Sequence, residues 1–185
     1  MSHPPPPRSA SAICRTTFGG LLLSACLAVV QAAPAADDSG LEAKVKAAYL
    51  FHLTKFVDWP ALPPDAVRIC VINADAVGGM LGELTNRQVQ ERPLKVEIDV
   101  ADPTRCQILF IGRGERRSSE ILGRVRGASV LTVSDREDFA RQGGIVGFYS
   151  DAGKLKLEIN PEAARAANLK VSAKLLELSR KVATP

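Results

Sequence analysis

The sequence predicts an α/β fold: a single domain with a mixed sheet of about six strands flanked by helices. Three observations carry that expectation. Short apolar runs rich in β-branched residues, such as VRICVI (67–72) and QILFI (107–111), read as buried strands. Such runs alternate with segments of helical periodicity, the pattern of strands joined through helical crossovers. IVGFYS and LKLEIN, separated by the turn-rich DAGK, predict a β-hairpin, so the sheet is mixed.

The first 32 residues stand outside this fold. MSHPPPPRSASAICR is basic, proline-rich and free of acids; FGGLLLSACLAVV is apolar; VQA or QAA closes the segment with small residues. That is the build of a signal peptide, cleaved near Ala32 or Ala33. The apolar run is short against the roughly 20 residues of a membrane span, although an uncleaved anchor is the alternative. LSAC, ending at Cys26, resembles a lipobox whose cysteine would be acylated. The apolar run continues through Leu27, Ala28, Val29 and Val30, which favours a soluble exported protein. Residues 33–40 form a flexible lead-in, and residues 41–181 the domain.

In order along the domain, a first helix is expected from Leu41, with Ser39 as its cap. Its apolar stripe is Leu41, Val45, Tyr49, His52 and Phe56, widened by Ala48, Leu53 and Val57, and Lys44 and Lys55 face away. Pro60, Pro63 and Pro64 end it. Strand 67–72 follows, then a turn at Asn73 and Asp75 and a small helix around 78–85. LKVEIDV (94–100) alternates as a strand with one wet face, and 107–111 is buried. GRGERRSSEILGRVRG reads as turn and helix, ASVLTV (128–133) as a strand. SDREDFARQGG reads as a short helix capped by Ser134 and stopped by Gly143 and Gly144. After the hairpin (145–150 with 155–160) come one or two helical turns, a break near Asn168, and a last helix from Ser172.

Composition excludes several functions. The formal net charge is +4, with 24 basic and 20 acidic residues. Without Arg8 and Arg15 of the leader the balance is 22 to 20, which supplies no basic surface for nucleic acid. Once the leader is gone, Cys70 and Cys106 are the cysteines left. Two cysteines in an oxidising compartment most often pair, closing a loop of about 35 residues for roughly 3–4 kcal/mol; separate buried thiols are the alternative. His52 is then the one histidine, so a multi-histidine metal site is excluded and a serine triad would hang on one residue. No catalytic residue, metal site or cofactor is assigned.

Four weaker patterns lie in the loops between these elements. Gly112-Arg113-Gly114 follows a strand and precedes a helix, as a dinucleotide-binding turn does, but position 117 is Arg117 where the third glycine belongs. Arg113, Arg116 and Arg117 could hold an anion near a helix N-terminus, the alternative being a solvated loop and helix face. The Arg113 to Arg117 spacing also mimics a cyclic-dinucleotide motif, whose ligand should be absent outside the cytoplasm. Asp135, Glu137 and Asp138 cluster at an expected helix N-terminus, where acids favour the macrodipole.

KAAYLFHLTKFVDWP, RICVI, CQILFI, SVLTVSD and KLKLEINPEAARAANLKVSAKLLELS together resemble the YfiR-like periplasmic proteins, in order, from about Lys46 to Ser179. The resemblance implies a small, dimeric, non-catalytic α/β protein of the periplasm. It implies binding to the periplasmic sensory region of an inner-membrane diguanylate cyclase, repression of that enzyme, and lower cyclic-di-GMP and biofilm formation. Other such proteins accompany membrane histidine kinases or receptors, which leaves room for a small ligand of unknown identity. Cys70 and Cys106 match one disulfide of the family. A second bridge is missing, because Ile145 and everything after it lack cysteine. Candidate partner-binding residues are Trp59, Tyr49, Phe51 and Lys55, with Trp59 either docking a partner or sealing the core.

Overall fold

The computed structural model describes residues 38–183. Helix α1 (Asp38–Leu53) leads into the short strand β1 (Val57–Asp58). There follow β2 (Val67–Ile72), α2 (Asp75–Gly82), β3 (Gln88–Val89), β4 (Arg92–Ile98), a 3-10 turn (Pro103–Arg105) and β5 (Ile108–Ile111). Next are α3 (Ser118–Arg124), β6 (Leu131–Ser134), β7 (Val146–Asp151) and β8 (Lys154–Ile159). The chain closes through α4 (Pro161–Ala166), β9 (Lys170–Val171), α5 (Ala173–Glu177) and β10 (Arg180–Lys181).

The α/β class is as expected. One mixed sheet has the order β10-β8-β7-β6-β5-β2-β4-β3, and β1 pairs with β9 in a separate ribbon. It has eight strands rather than about six, because β3 and β10 add two residues each at its edges. Strands β4, β2, β5, β6 and β7 run parallel, β8 returns antiparallel to β7, and β10 lies parallel to β8. The hairpin turn is Ala152-Gly153, both with positive φ (48° and 71°), the two-residue geometry whose twist suits a right-handed strand pair.

Alternation along the central strands divides the core in two. Ile69, Val71, Ile108, Phe110 and Val133 meet Leu50, Leu53 and Leu81 of α1 and α2. Cys70, Ile72, Leu109 and Ile111 meet Ile121, Val125 and Phe139 on the other face. Strands β2, β5 and β6 are buried along their whole length, as strands covered on both faces must be. The Cys70–Cys106 disulfide lies within the second layer, its Cα atoms 5.9 Å apart, and ties β2 to the segment entering β5.

Two expectations are corrected. The buried face of α1 is Ala43, Lys46, Ala47, Leu50, Phe51 and Leu53, whereas Leu41 and Ala48 are exposed and His52 faces solvent. The stripe is rotated because Lys46, a charge, occupies its middle, and the helix already begins at Asp38, before Ser39. Residues 135–144 contain no helix, and 137–143 form consecutive turns. The Ser134 hydroxyl does accept the Arg136 N–H (3.0 Å), but it also donates to Ile111 O (2.6 Å). Asp138 then takes a positive φ (55°), which breaks any helical run. The proposed leader lies outside the described residues.

Candidate functional site

Three places collect the polar and aromatic residues singled out above. The first is the corner after α1. Thr54 Oγ1 donates to Phe51 O (2.6 Å), and turns at Lys55 and Phe56 end the helix. Val57 and Asp58 then pair with Val171 and Lys170, so the chain is fixed when it reaches Trp59. Trp59 is half-buried and packs on the edge of the core; its indole Nε1 is buried with no hydrogen-bond partner among the described residues. Beside it a cleft of about 190 Å³ is lined by Asp58, Trp59, Pro60, Leu62, Gln90 and Arg92. Arg92 braces the cleft by donating to Pro63 O and Gln90 O, both at 3.0 Å.

The other residues considered for partner binding separate here. Phe51 is in the core, and Tyr49 is half-buried, edge-on to Phe148 (5.7 Å) with its hydroxyl donating to Leu155 O (3.3 Å). Lys55 is exposed, its ammonium 5.2 Å from the Phe51 ring centre. His52 lies beside the same ring (5.9 Å between centroids).

The second place lies over the C-terminal ends of β5 and β6. Lys46 Nζ, almost wholly buried, bonds Asp135 Oδ2 and Glu42 Oε1, each at 2.5 Å. Asp135 also accepts the Arg113 backbone N–H (2.8 Å) and Nε (3.3 Å), and Arg113 reaches Glu42 at 3.5 Å. Two acids and two bases thus join α1 to the loops after β5 and β6. Asp135 serves this network rather than a helix dipole, while Glu137 and Asp138 are exposed. Gly112, of the glycine pair, has a packing role: a Cβ there would sit 2.0 Å from Asn73 O. The close backbone approach that glycine permits joins two loops here.

The third place was not legible in the sequence. Strand order reverses between β4-β2 and β2-β5, and in open α/β sheets a crevice opens outside the carboxyl ends of strands at such a switch. A crevice of about 510 Å³ lies there, lined by Asn73, Asp75, Asp99, Glu115, Arg117 and Glu120 among others. Asn73 and Asp99 both hold positive φ (52° and 50°) and are linked by Asn73 N to Asp99 Oδ1 (3.3 Å). The Glu115 carboxylate accepts Arg117 N (2.8 Å) and Nε (3.2 Å). The backbone N–H first, then the guanidinium, holds that carboxyl below the usual glutamate range. Arg113 and Arg117 are therefore each engaged with a carboxylate, and Arg116 is exposed. In the sequence Asn73 marks only the end of a strand, and strand order is needed to bring it beside Asp99 and Glu115.

Taken together these features define a class: a three-layer α/β domain, disulfide-tied through its sheet, with a switch-point crevice and an aromatic corner. Among the described residues no helix is long and apolar enough to cross a membrane, and no group of three or more His, Cys, Asp or Glu could hold a metal ion. The chain belongs to the YfiR/HmsC-like family, whose family model matches residues 43–180. No curated protein sequence is similar enough to count as a relative.

Proposed function

We propose that this protein is a non-catalytic periplasmic regulator. On this reading it binds the periplasmic sensory region of an inner-membrane diguanylate cyclase and represses it, lowering cyclic-di-GMP and biofilm formation. The observation that carries this reading is membership of the YfiR/HmsC-like family over nearly the whole described domain. A fully buried disulfide supports it, since such bonds persist in oxidising compartments.

Repression of this kind is differential binding. The regulator must bind the inactive cyclase more tightly than the active one, because equal affinity for two states shifts neither. The surface we assign to the partner is the corner at Trp59, with exposed Lys55, Asp58 and His52 supplying polar contacts. Phe51 belongs to the core cluster against which both Tyr49 and Trp59 pack. In vivo crosslinking from position 55 or 58, with mass spectrometry of the captured membrane protein, tests this. Capture of a diguanylate cyclase supports the reading, and capture of a histidine kinase replaces it.

That replacement, a ligand-sensing accessory protein of a kinase or receptor, is favoured by one feature, the polar crevice at the switch point. It predicts that a small solute protects the protein against heat, and that Asp99→Ala abolishes the protection.

A further inference from the structure

Trp59 is the only tryptophan of the chain. Its Nε1 is the one buried side-chain nitrogen or oxygen that lacks a hydrogen-bond partner among the described residues. The atom has no open surface at which a water could bond. A donor sealed in this way costs the free protein the equivalent of about five- to hundredfold in its folding equilibrium. Such groups are rare enough that each calls for a cause. Packing does not supply one here, because the ring is half-buried at the edge of the core, where a phenylalanine would pack with no N–H to satisfy.

The cleft beside the ring supplies a cause. One wall is Trp59, Pro60 and Leu62, held where β1 pairs with β9. The other is the turn between β3 and β4, with Gln90 and Glu91 both at positive φ (49° and 64°), and then Arg92. Arg92 uses Nε on Pro63 O and one terminal nitrogen on Gln90 O. Its second terminal nitrogen has no partner among the described residues, and Asp58 is exposed at the rim. The lining therefore offers two donors, the Trp59 and Arg92 N–H groups, and one acceptor, the Asp58 carboxylate. A free carboxylate would meet Asp58 and a free amine would meet Arg92. A peptide unit, neutral and carrying one C=O and one N–H, matches both. The volume of about 190 Å³ is below the roughly 300 Å³ at which small-molecule sites begin, and suits about one or two residues of a passing chain. Aromatic and proline walls are the kind that take extended peptides.

We infer that the Trp59 cleft recognises peptide backbone: an extended segment of the membrane partner enters it, the indole turns outward, and its N–H donates to a carbonyl of that segment. The turn is open to the ring because it only edges the core. A donor left unsatisfied in the free protein is satisfied in the complex, so the hydrogen bond favours binding without first being broken elsewhere. This inference rests on the assignment of the corner to the membrane partner and adds what that partner must present.

Replacing Trp59 by β-(3-benzothienyl)alanine, which keeps the shape of the ring with sulfur in place of the N–H, tests it in two measurements. The free variant should unfold in urea at the wild-type midpoint or above it. Its affinity for the purified sensory region of the membrane protein crosslinked from position 55 or 58 should fall about tenfold or more. Trp59→Phe, likewise without an N–H, should show the same loss of binding. A lowered midpoint in the benzothienyl variant would mean that the N–H is already bonded in the free protein, and would overturn the inference. Unchanged affinity in that variant would overturn it too, while leaving the partner surface standing. Crosslinks that reach only a second copy of this chain, or no protein at all, would overturn both.

Discussion

Breaking the Cys70–Cys106 bond should remove a large share of the domain's stability. The cysteines are 36 residues apart in sequence. On the chain-entropy account, a loop of that length restrains the unfolded chain by about 4 kcal/mol. Domains of this kind are stable by roughly 5–15 kcal/mol in all, so the loss matters. Both sulfurs are buried in the layer of Ile72, Leu109 and Phe139, where thiols pack as small hydrophobes and need no rearrangement. Reduction should therefore lower stability without altering the native fold. With a urea slope of about 2 kcal/mol per molar, the unfolding midpoint should fall by about 2 M on reduction. The Cys70→Ala/Cys106→Ala variant should fall slightly further, having lost two packed sulfurs. A midpoint shift below about 0.5 M, with full oxidation verified by thiol titration, would refute the assignment of this bond as the sheet's main covalent restraint.

Four further outcomes are expected. Asp135→Ala, which leaves the buried Lys46 ammonium with the half-exposed Glu42 as its carboxylate partner, should cost about 2–3 kcal/mol in urea unfolding, while Glu42→Ala, which leaves it the buried Asp135, should cost under about 1 kcal/mol. Gly112→Ala should prevent folding or cost several kcal/mol, whereas Gly79→Ala, with open space around it in α2, should stabilise by about 0.5–1 kcal/mol. Glu115 has its carboxyl pKa lowered in the fold, so its contribution is present above the ordinary glutamate range and lost as pH falls through the folded value. The stability gap between wild type and Glu115→Gln should thus close in acid, and a gap that widens there would contradict the Arg117 pairing. Trp59→Ala should leave the circular dichroism spectrum unchanged, cost about 1–2 kcal/mol, and abolish repression; loss of folding would make Trp59 a core residue instead.

The strands and the hairpin were legible because their signals are local. VRICVI and QILFI are apolar throughout, and Ala152-Gly153 supplies the positive φ that a two-residue turn needs. The misreadings share one cause, partners distant in sequence. Lys46 disguised the buried face of α1 because its carboxylate, Asp135, is 89 residues away. His52 seemed to continue an apolar stripe that in fact runs one position earlier, through Phe51. Residues 135–144 carry helix-like caps, but Asp135 and Ser134 spend their side chains on Arg113, Lys46 and Ile111. The edge pieces β3 and β10 are two residues long and exist by pairing alone. Of the candidate site, Trp59 could be named in advance and the crevice could not, since the latter is made by strand order.

The most direct test of the regulatory account is cellular cyclic-di-GMP in a strain deleted for this protein. The account predicts a rise that export of the wild-type protein reverses and export of Trp59→Ala does not. An unchanged cyclic-di-GMP level on deletion would contradict it.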